Sequence, residues 1–250
     1  MTVLGFLPQR WRPSERIARH SEGIAGVLYT APVKQAAGGP TVVSLIGTVD
    51  VLPYLVTIKS LFLRLGRGRI AIVDDGTLTG EDRAILAHHC GDPEIIPHQA
   101  GRRPRFPAGG AWALLLTVLE RRTGQYWVVL DPHTVTLAPL PEVDAALASN
   151  RSFSLGEGWT GIAGFAAGAA SRTLTASLAD PGEPVAADAA ARFILANEPE
   201  TVDLPRKRFA IWNGRARHEG AALIHFPIRH RFSGGGYATA SATALAALSR

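Results

Sequence analysis

The stretch 41–75 decides the fold and reads TVVSLIGTVDVLPYLVTIKSLFLRLGRGRIAIVDD. Its ends, 41–46 and 69–73, are short runs of β-branched and apolar residues, which are typical of buried strands. Between Asp50, interpreted as a helix cap, and Gly66, apolar residues recur at spacings of three and four. This periodicity predicts one helix that ends at the glycine. A strand, a helix and a second strand in this order indicate parallel strands joined by a crossover helix.

The same alternation continues along the chain. A capping pair predicts a helix over 79–89, and a third short strand follows at 94–97. A leucine-rich helix at 111–121 leads into a fourth strand at 125–130. The sequence therefore predicts a single-domain α/β fold, with a Rossmann-type, mostly parallel sheet flanked by helices.

The two ends of the chain are less regular. We interpret residues 1–40 as an N-terminal lead-in packed on the domain, with a short strand at 26–29. In the second half, a helix is predicted at 184–196, a strand at 221–226 and a final alanine-rich helix at 238–250.

Composition limits the class of protein. The 250 residues are 46% hydrophobic and 19% charged, a globular balance. The sequence has no apolar run long enough for a transmembrane helix, and its first apolar residues are too few for a signal peptide. The single cysteine, Cys90, excludes an internal disulfide and fits a reducing compartment, so we expect a cytoplasmic protein.

The chain is basic, with a net charge of +5 and a pI of about 9.9. Three of its 26 basic residues are lysines, so arginine dominates. The arginines occur in scattered pairs and aromatic residues are sparse among them, which argues against nucleic acid as the main partner, although nucleic-acid binding stays an alternative. The guanidinium fork also suits small phosphate ligands.

Three segments carry a resemblance to a known superfamily. They are IAIVDDGTLTG at 70–80, YWVVLDPHTVTLAPLPEV at 126–143 and AALIHFPIRHRF at 221–232. In this order and spacing they resemble landmarks of the GT-A nucleotide-sugar glycosyltransferases, with no subfamily assigned. The resemblance implies a GT-A-like fold, with a nucleotide-binding half at 41–150 and an acceptor-side half at 151–250.

The implied activity is transfer of a sugar from a UDP- or GDP-sugar donor to an unidentified acceptor, with Mn²⁺ or Mg²⁺ as cofactor. Retention or inversion of the sugar stays open. The alternatives are a catalytically degenerate relative that binds nucleotide or a partner, a nucleotidyltransferase, and a basic nucleic-acid-binding protein.

The metal motif departs from the superfamily pattern. The usual Asp-Xaa-Asp is Asp131-Pro132-His133 here, which resembles the Asp-Xaa-His of mucin-type polypeptide N-acetylgalactosaminyltransferases. In an extended segment, residues two apart point to the same side, so Asp131 and His133 are predicted to face one ion. His225, on the late strand, is the third expected ligand. Imidazole ligands favour manganese over magnesium. Alternatively, Asp131 caps a turn, His133 lies at the surface and His225 packs in the core.

The remaining candidates follow from the resemblance and from position. Ligands of parallel sheets bind beyond the carboxyl ends of the strands. Thr48, Asp74 and Asp75 follow the first two strands and are expected to bind the nucleoside, although an Asp-Gly turn is an alternative. Arg229 and Arg231 are expected to hold the diphosphate, unless they form a solvated loop.

Two candidates lie on the acceptor side. Trp159 is expected to line the sugar pocket, with core packing as the alternative. Asp188 ranks first as the catalytic base of an inverting enzyme, whereas a retaining enzyme needs no such base.

Overall fold

The computed structural model describes residues 15–101, 109–156, 160–168, 186–198, 200–215 and 218–250. In these ranges the α-helices are α1 Glu15–Ile24, α2 Val51–Leu65, α3 Gly80–Cys90, α4 Gly110–Arg121, α5 Pro141–Ala148, α6 Ala187–Asn197 and α7 Gly236–Leu248. The strands are β1 Thr41–Ile46, β2 Arg69–Asp74, β3 Glu94–Pro97, β4 Trp127–Leu130, β5 Thr134–Thr136, β6 Phe153–Ser154, β7 Ile162–Phe165, β8 Val202–Asp203, β9 Phe209–Ile211 and β10 Leu223–His225. Short 3-10 segments lie at Ala25–Tyr29, Thr48–Asp50 and His98–Gly101.

The main sheet has seven strands in the order β3-β2-β1-β4-β7-β6-β8. Strand β1 pairs in parallel with β2 and β4, β2 with β3, and β6 with β8. Strand β7 is antiparallel to both β4 and β6, so β6 and β8 run in the same direction as β1. Every strand except β7 therefore ends at the same edge of the sheet, where ligands of such folds bind. This mostly parallel seven-stranded sheet, flanked by helices, confirms the predicted α/β fold class.

Helices cover both faces of the sheet and bury two apolar cores. One core packs α1, α2, α3, α7 and the small sheet against one face, and the other packs α4 and α6 against the opposite face. The predicted boundaries of α3 are confirmed: the Thr79 side chain accepts from the Asp82 N–H, and Gly91 ends the helix at φ 68°.

A second sheet connects the two halves of the chain. It has three strands in the order β5-β10-β9, with β10 antiparallel to β5. The register pairs His225 on β10 with Thr134 on β5. Because only a short turn separates β5 from the end of β4, this pairing brings a residue of the second half to the carboxyl edge of the main sheet.

Two local predictions are wrong. The segment predicted as a strand at 26–29 is the 3-10 segment Ala25–Tyr29, whose last turn is closed by the Thr30 hydroxyl, which donates to the Val27 carbonyl at 2.8 Å. Asp50 does not cap α2 with its side chain. Its carboxylate instead accepts from the Gly47 N–H at 3.2 Å, which turns the side chain back toward the sheet edge.

Candidate functional site

The carboxyl end of β4 presents Asp131. Its N–H donates to the Gly161 carbonyl at 2.9 Å, which continues the pairing of β4 with β7. Its carboxylate accepts from the His133 N–H at 2.8 Å, so a tight turn fixes the direction of the side chain. The Asp131 side chain is 36% exposed. A carboxylate that is oriented and open to solvent is suited to binding a ligand.

His225 lies next to this carboxylate. Its Nδ1 is 3.6 Å from Asp131 Oδ1, and its side chain is buried. Burial lowers the pKa of His225, an effect that the nearby Asp131 opposes, so the ring is neutral at physiological pH. The register of β10 against β5 therefore produces an acid–imidazole pair from residues that are 94 positions apart in the sequence.

Gly161 packs closely against His225. It adopts φ 78°, and a Cβ at this position would lie 2.7 Å from the Cβ of His225. Its carbonyl also accepts from the Thr134 hydroxyl at 3.3 Å. A side chain at this position would collide with the His225 ring, so the close approach of strand and turn requires glycine.

His133 is placed differently from the other two predicted metal ligands. Its Nε2 lies 2.9 Å from Asp50 Oδ1, and its Nδ1 lies 3.2 Å from the Tyr237 hydroxyl. A carboxylate can only accept, so Nε2 carries the hydrogen and Nδ1 accepts from the tyrosine when the ring is neutral. In that state His133 has no free lone pair for a metal ion.

The residues therefore fit a metal ion as a pair and not as a triad. Ligand atoms stand about 2.0–2.6 Å from a divalent ion, so two of them on one ion are separated by roughly 3–3.6 Å. The separation of 3.6 Å between Asp131 and His225 meets this requirement. In the part of the chain that the structure describes, no group of three or more His, Cys, Asp or Glu side chains is arranged to hold a metal.

The two predicted phosphate-binding arginines have different environments. Arg231 is partly buried, and its Nε donates to the Phe226 carbonyl at 3.2 Å. Burial lowers the pKa of Arg231, whereas Tyr237, Asp131 and Asp50 raise it. Its guanidinium thus belongs to the same polar cluster as the two carboxylates. Arg229, by contrast, is exposed.

The nucleoside candidates follow β1 and β2. Asp74 is buried: its Oδ1 accepts from the Gly76 N–H at 2.8 Å, and its Oδ2 pairs with Arg83. The Thr48 hydroxyl lies 2.7 Å from the Asp82 carboxylate. These contacts stabilise the turns that follow β1 and β2.

Asp75 differs from its neighbour. It is exposed at the sheet edge, although its Oδ1 accepts from the Thr77 N–H at 2.9 Å. A carboxylate has about four lone-pair positions, so Asp75 keeps acceptor capacity for a ligand.

The acceptor-side candidates are Asp188 and Trp159. Asp188 is exposed in the first turn of α6. Trp159 lies outside the described residues.

Sequence reasoning missed two members of the site, Asp50 as a cluster residue and Tyr237. Asp50 follows β1 by four positions, and its place at the carboxyl edge was a usable signal. Tyr237 begins the final helix after a glycine-rich loop and carries no local signal. Only the packing of α7 on α1 and α2 brings it to His133.

Comparisons with known proteins identify the fold. No family model matches the sequence, and no curated protein is significantly similar to it. The crystal structure of an active-site mutant of LgtC has a TM-score of 0.53 and 11% identity, over 82% of this chain and 95% of that chain. The galactosyltransferase LgtC in complex with donor and acceptor sugar analogs gives the same values.

A third solved structure agrees with these two. The apo structure of the bifunctional glycosyltransferase WbbM has a TM-score of 0.53 and 12% identity, over 78% of this chain and 47% of that chain. These likenesses show that the chain has the GT-A fold. Among the described residues, no helix combines the length and the apolar character needed to cross a membrane.

Proposed function

We propose that the chain is a glycosyltransferase that transfers a sugar from a nucleoside-diphosphate donor to an acceptor. The observation that carries the proposal is the convergence of Asp131 and His225 at 3.6 Å, beside Arg231, at the carboxyl edge of a GT-A sheet. In folds of this type the carboxyl edge is where nucleotides bind. The donor would be a UDP- or GDP-sugar.

The proposed chemistry depends on charge at the leaving group. When the bond from the sugar to the diphosphate breaks, negative charge develops on the phosphate oxygens, and groups that stabilise it lower the barrier. Arg231 would donate to these oxygens through its guanidinium fork. A divalent ion, manganese in preference to magnesium, would be held by Asp131 and His225 and would supply Lewis-acid stabilisation of the same charge.

The remaining proposed roles concern the nucleoside, the acceptor side and the location. Asp75 is the proposed ligand of the nucleoside, because it is exposed at the carboxyl end of β2. Asp188 is proposed as the base of an inverting reaction, and Trp159 as a wall of the sugar pocket. The cytoplasm is the proposed location, supported by the single, buried cysteine Cys90.

A second candidate is a catalytically degenerate relative that binds nucleotide without transferring sugar. The observation in its favour is the engagement of both ring nitrogens of His133 by Asp50 and Tyr237, which leaves two protein ligands for the ion. Both candidates predict nucleotide binding. Turnover of a nucleotide-sugar separates them.

A thermal-shift screen of UDP, GDP, CDP and dTDP, each with Mn²⁺ or with EDTA, tests the proposal. A ligand at 100 times its dissociation constant stabilises the folded state by about 2.7 kcal/mol. We expect at least one diphosphate to raise the melting temperature, and to do so more with Mn²⁺. The absence of any shift would reject the glycosyltransferase. Binding without release of the diphosphate from UDP- or GDP-sugars, across a panel of acceptors, would favour the degenerate relative.

A further inference from the structure

The ring of His133 joins two residues that are distant in the sequence. Asp50 follows β1 and Tyr237 lies in the first turn of α7, and each is within hydrogen-bond distance of one ring nitrogen, at 2.9 Å and 3.2 Å respectively. Burial raises the pKa of Tyr237, so its hydroxyl keeps its proton. The tyrosine therefore donates to Nδ1, and the Nε2–H donates to Asp50.

Tyr237, at one end of this series of hydrogen bonds, is tightly packed. The Tyr237 ring is buried, and it stacks on His20 at a centroid separation of 3.9 Å and on Phe226 at 4.5 Å. Burial lowers the pKa of His20 to about 4, so His20 stays neutral. Ring contacts with His20 on α1 and with Phe226, which follows β10, thus orient the hydroxyl toward His133.

Asp50, at the other end of this series of hydrogen bonds, is partly exposed to solvent. The Asp50 side chain is 22% exposed, whereas that of His133 is 7% exposed. Asp50 accepts from His133 through Oδ1 and from the Gly47 N–H through Oδ2, which occupies two of its roughly four lone-pair positions. Because the side chain is partly exposed, the remaining positions are available to hydroxyl donors at the carboxyl edge of the sheet, on the side that also holds Arg231.

We propose that Asp50 is a further donor-binding residue, which accepts a hydroxyl of the ribose or of the transferred sugar, and that His133 and Tyr237 are positioning residues that orient it. This inference rests on the proposed function. It gives His133 a role that requires no metal ligation. It also explains why a histidine at this position is buried and fully hydrogen-bonded.

Binding of UDP, UDP-glucose, GDP and GDP-mannose, measured by calorimetry with Mn²⁺, tests the role of Asp50. Loss of a hydrogen bond to a charged group predicts that Asp50→Asn raises the dissociation constant about tenfold or more. A rise for both members of a pair such as UDP and UDP-glucose indicates a ribose hydroxyl. A rise for the nucleotide-sugar alone indicates a sugar hydroxyl. Unchanged affinity for all four would overturn the proposal.

The positioning role has a matched control. Tyr237→Phe removes the hydroxyl that contacts His133, and Tyr126→Phe removes another buried hydroxyl, which donates to the Arg151 carbonyl and precedes β4 at the amino edge of the sheet. We expect Tyr237→Phe to raise the dissociation constant about three- to tenfold, and Tyr126→Phe to leave it within about twofold. Equal effects of the two variants would reject positioning by Tyr237.

Nitrogen NMR of the histidine side chains gives a readout that does not depend on nucleotide. We expect His133 as the Nε2–H tautomer, with Tyr237→Phe shifting its Nδ1 resonance. Titration with Cd²⁺, a diamagnetic substitute for manganese, should move the resonances of His225 and leave those of His133 in place. Direct coordination of His133 would overturn the inference. If the wild type bound none of the nucleotides, the proposed function would fail, and the tautomer of His133 would still decide whether the hydrogen-bonded chain exists.

Discussion

Replacing Gly161 with alanine should separate His225 from Asp131. The added Cβ would lie 2.7 Å from the Cβ of His225, about 0.7 Å inside the 3.4 Å at which ordinary contact begins. Overpacking of this kind costs about 1–3 kcal/mol, and the left-handed backbone at φ 78° adds about 1–2 kcal/mol for a residue with a side chain. We therefore expect Gly161→Ala to lower the free energy of unfolding by about 2–5 kcal/mol.

Gly220 provides the matched control. It has φ 79°, and a Cβ added there would meet nothing within 4 Å, so Gly220→Ala carries the backbone cost without the crowding. Urea unfolding of the two variants should differ by about 1–3 kcal/mol. The difference in the free energy of unfolding between the two variants measures the cost of crowding the added Cβ against His225.

The same displacement should appear in binding. Movement of a functional group by about 1 Å can reduce activity roughly 100-fold, so we expect Gly161→Ala to lose Mn²⁺-dependent nucleotide binding at temperatures where it is folded. Calorimetry on both glycine variants, below their melting temperatures, measures this effect. If Gly161→Ala is as stable as Gly220→Ala and binds nucleotide like the wild type, the packing argument for the acid–imidazole pair is refuted.

Four further predictions concern single side chains. Asp131→Asn should abolish Mn²⁺ binding in a calorimetric titration while changing the melting temperature little. Because burial lowers the pKa of His225, Mn²⁺ binding by the wild type should persist below pH 6.5 before protonation of His225 removes it. Arg231→Met should weaken nucleoside-diphosphate binding about tenfold, whereas Arg229→Met, on an exposed residue, should change it less than about twofold; equal effects would contradict the different placement of the two arginines. Lys59 is buried and donates to the Thr30 and Ala31 carbonyls. Burial lowers its pKa from 10.5 to about 8. Between these two pH values the folded state therefore binds fewer protons than the unfolded state. The free energy of unfolding of the wild type should therefore rise with pH from about 8 to 10 relative to Lys59→Met, and a parallel pH dependence of the two proteins would show that Lys59 is not the cause.

The first half of the fold was predictable from the sequence because its signals are local. Strands β1 and β2 are buried on both faces and appear as continuous apolar runs, and the cap at Thr79 and the glycine at 91 bound α3. The small sheet was not fully predicted. Strand β9 has three residues, and β5 also has three, so neither is long enough to show a periodicity.

The site was predictable where it follows the sheet and not where it depends on packing. Position after β4 identified Asp131, and the resemblance to GT-A enzymes identified His225 on the returning strand; the structure brings the two together. The direction of the His133 ring depends on Tyr237, whose approach is set by tertiary contacts of α7. The spacing of two residues therefore predicted that His133 points to the same side as Asp131, but it could not predict the hydrogen-bond partners of the His133 ring.

Anomalous diffraction at the manganese edge, from crystals grown with Mn²⁺ and the nucleoside diphosphate selected by thermal shift, tests the central claim most directly. We expect one strong peak within about 2–2.6 Å of an Asp131 carboxylate oxygen and of a His225 ring nitrogen, with the diphosphate on the same ion and beside Arg231. His133 should remain bonded to Asp50 and Tyr237. A diphosphate bound away from the carboxyl edge of the sheet, or a manganese peak that does not contact Asp131, would contradict the account.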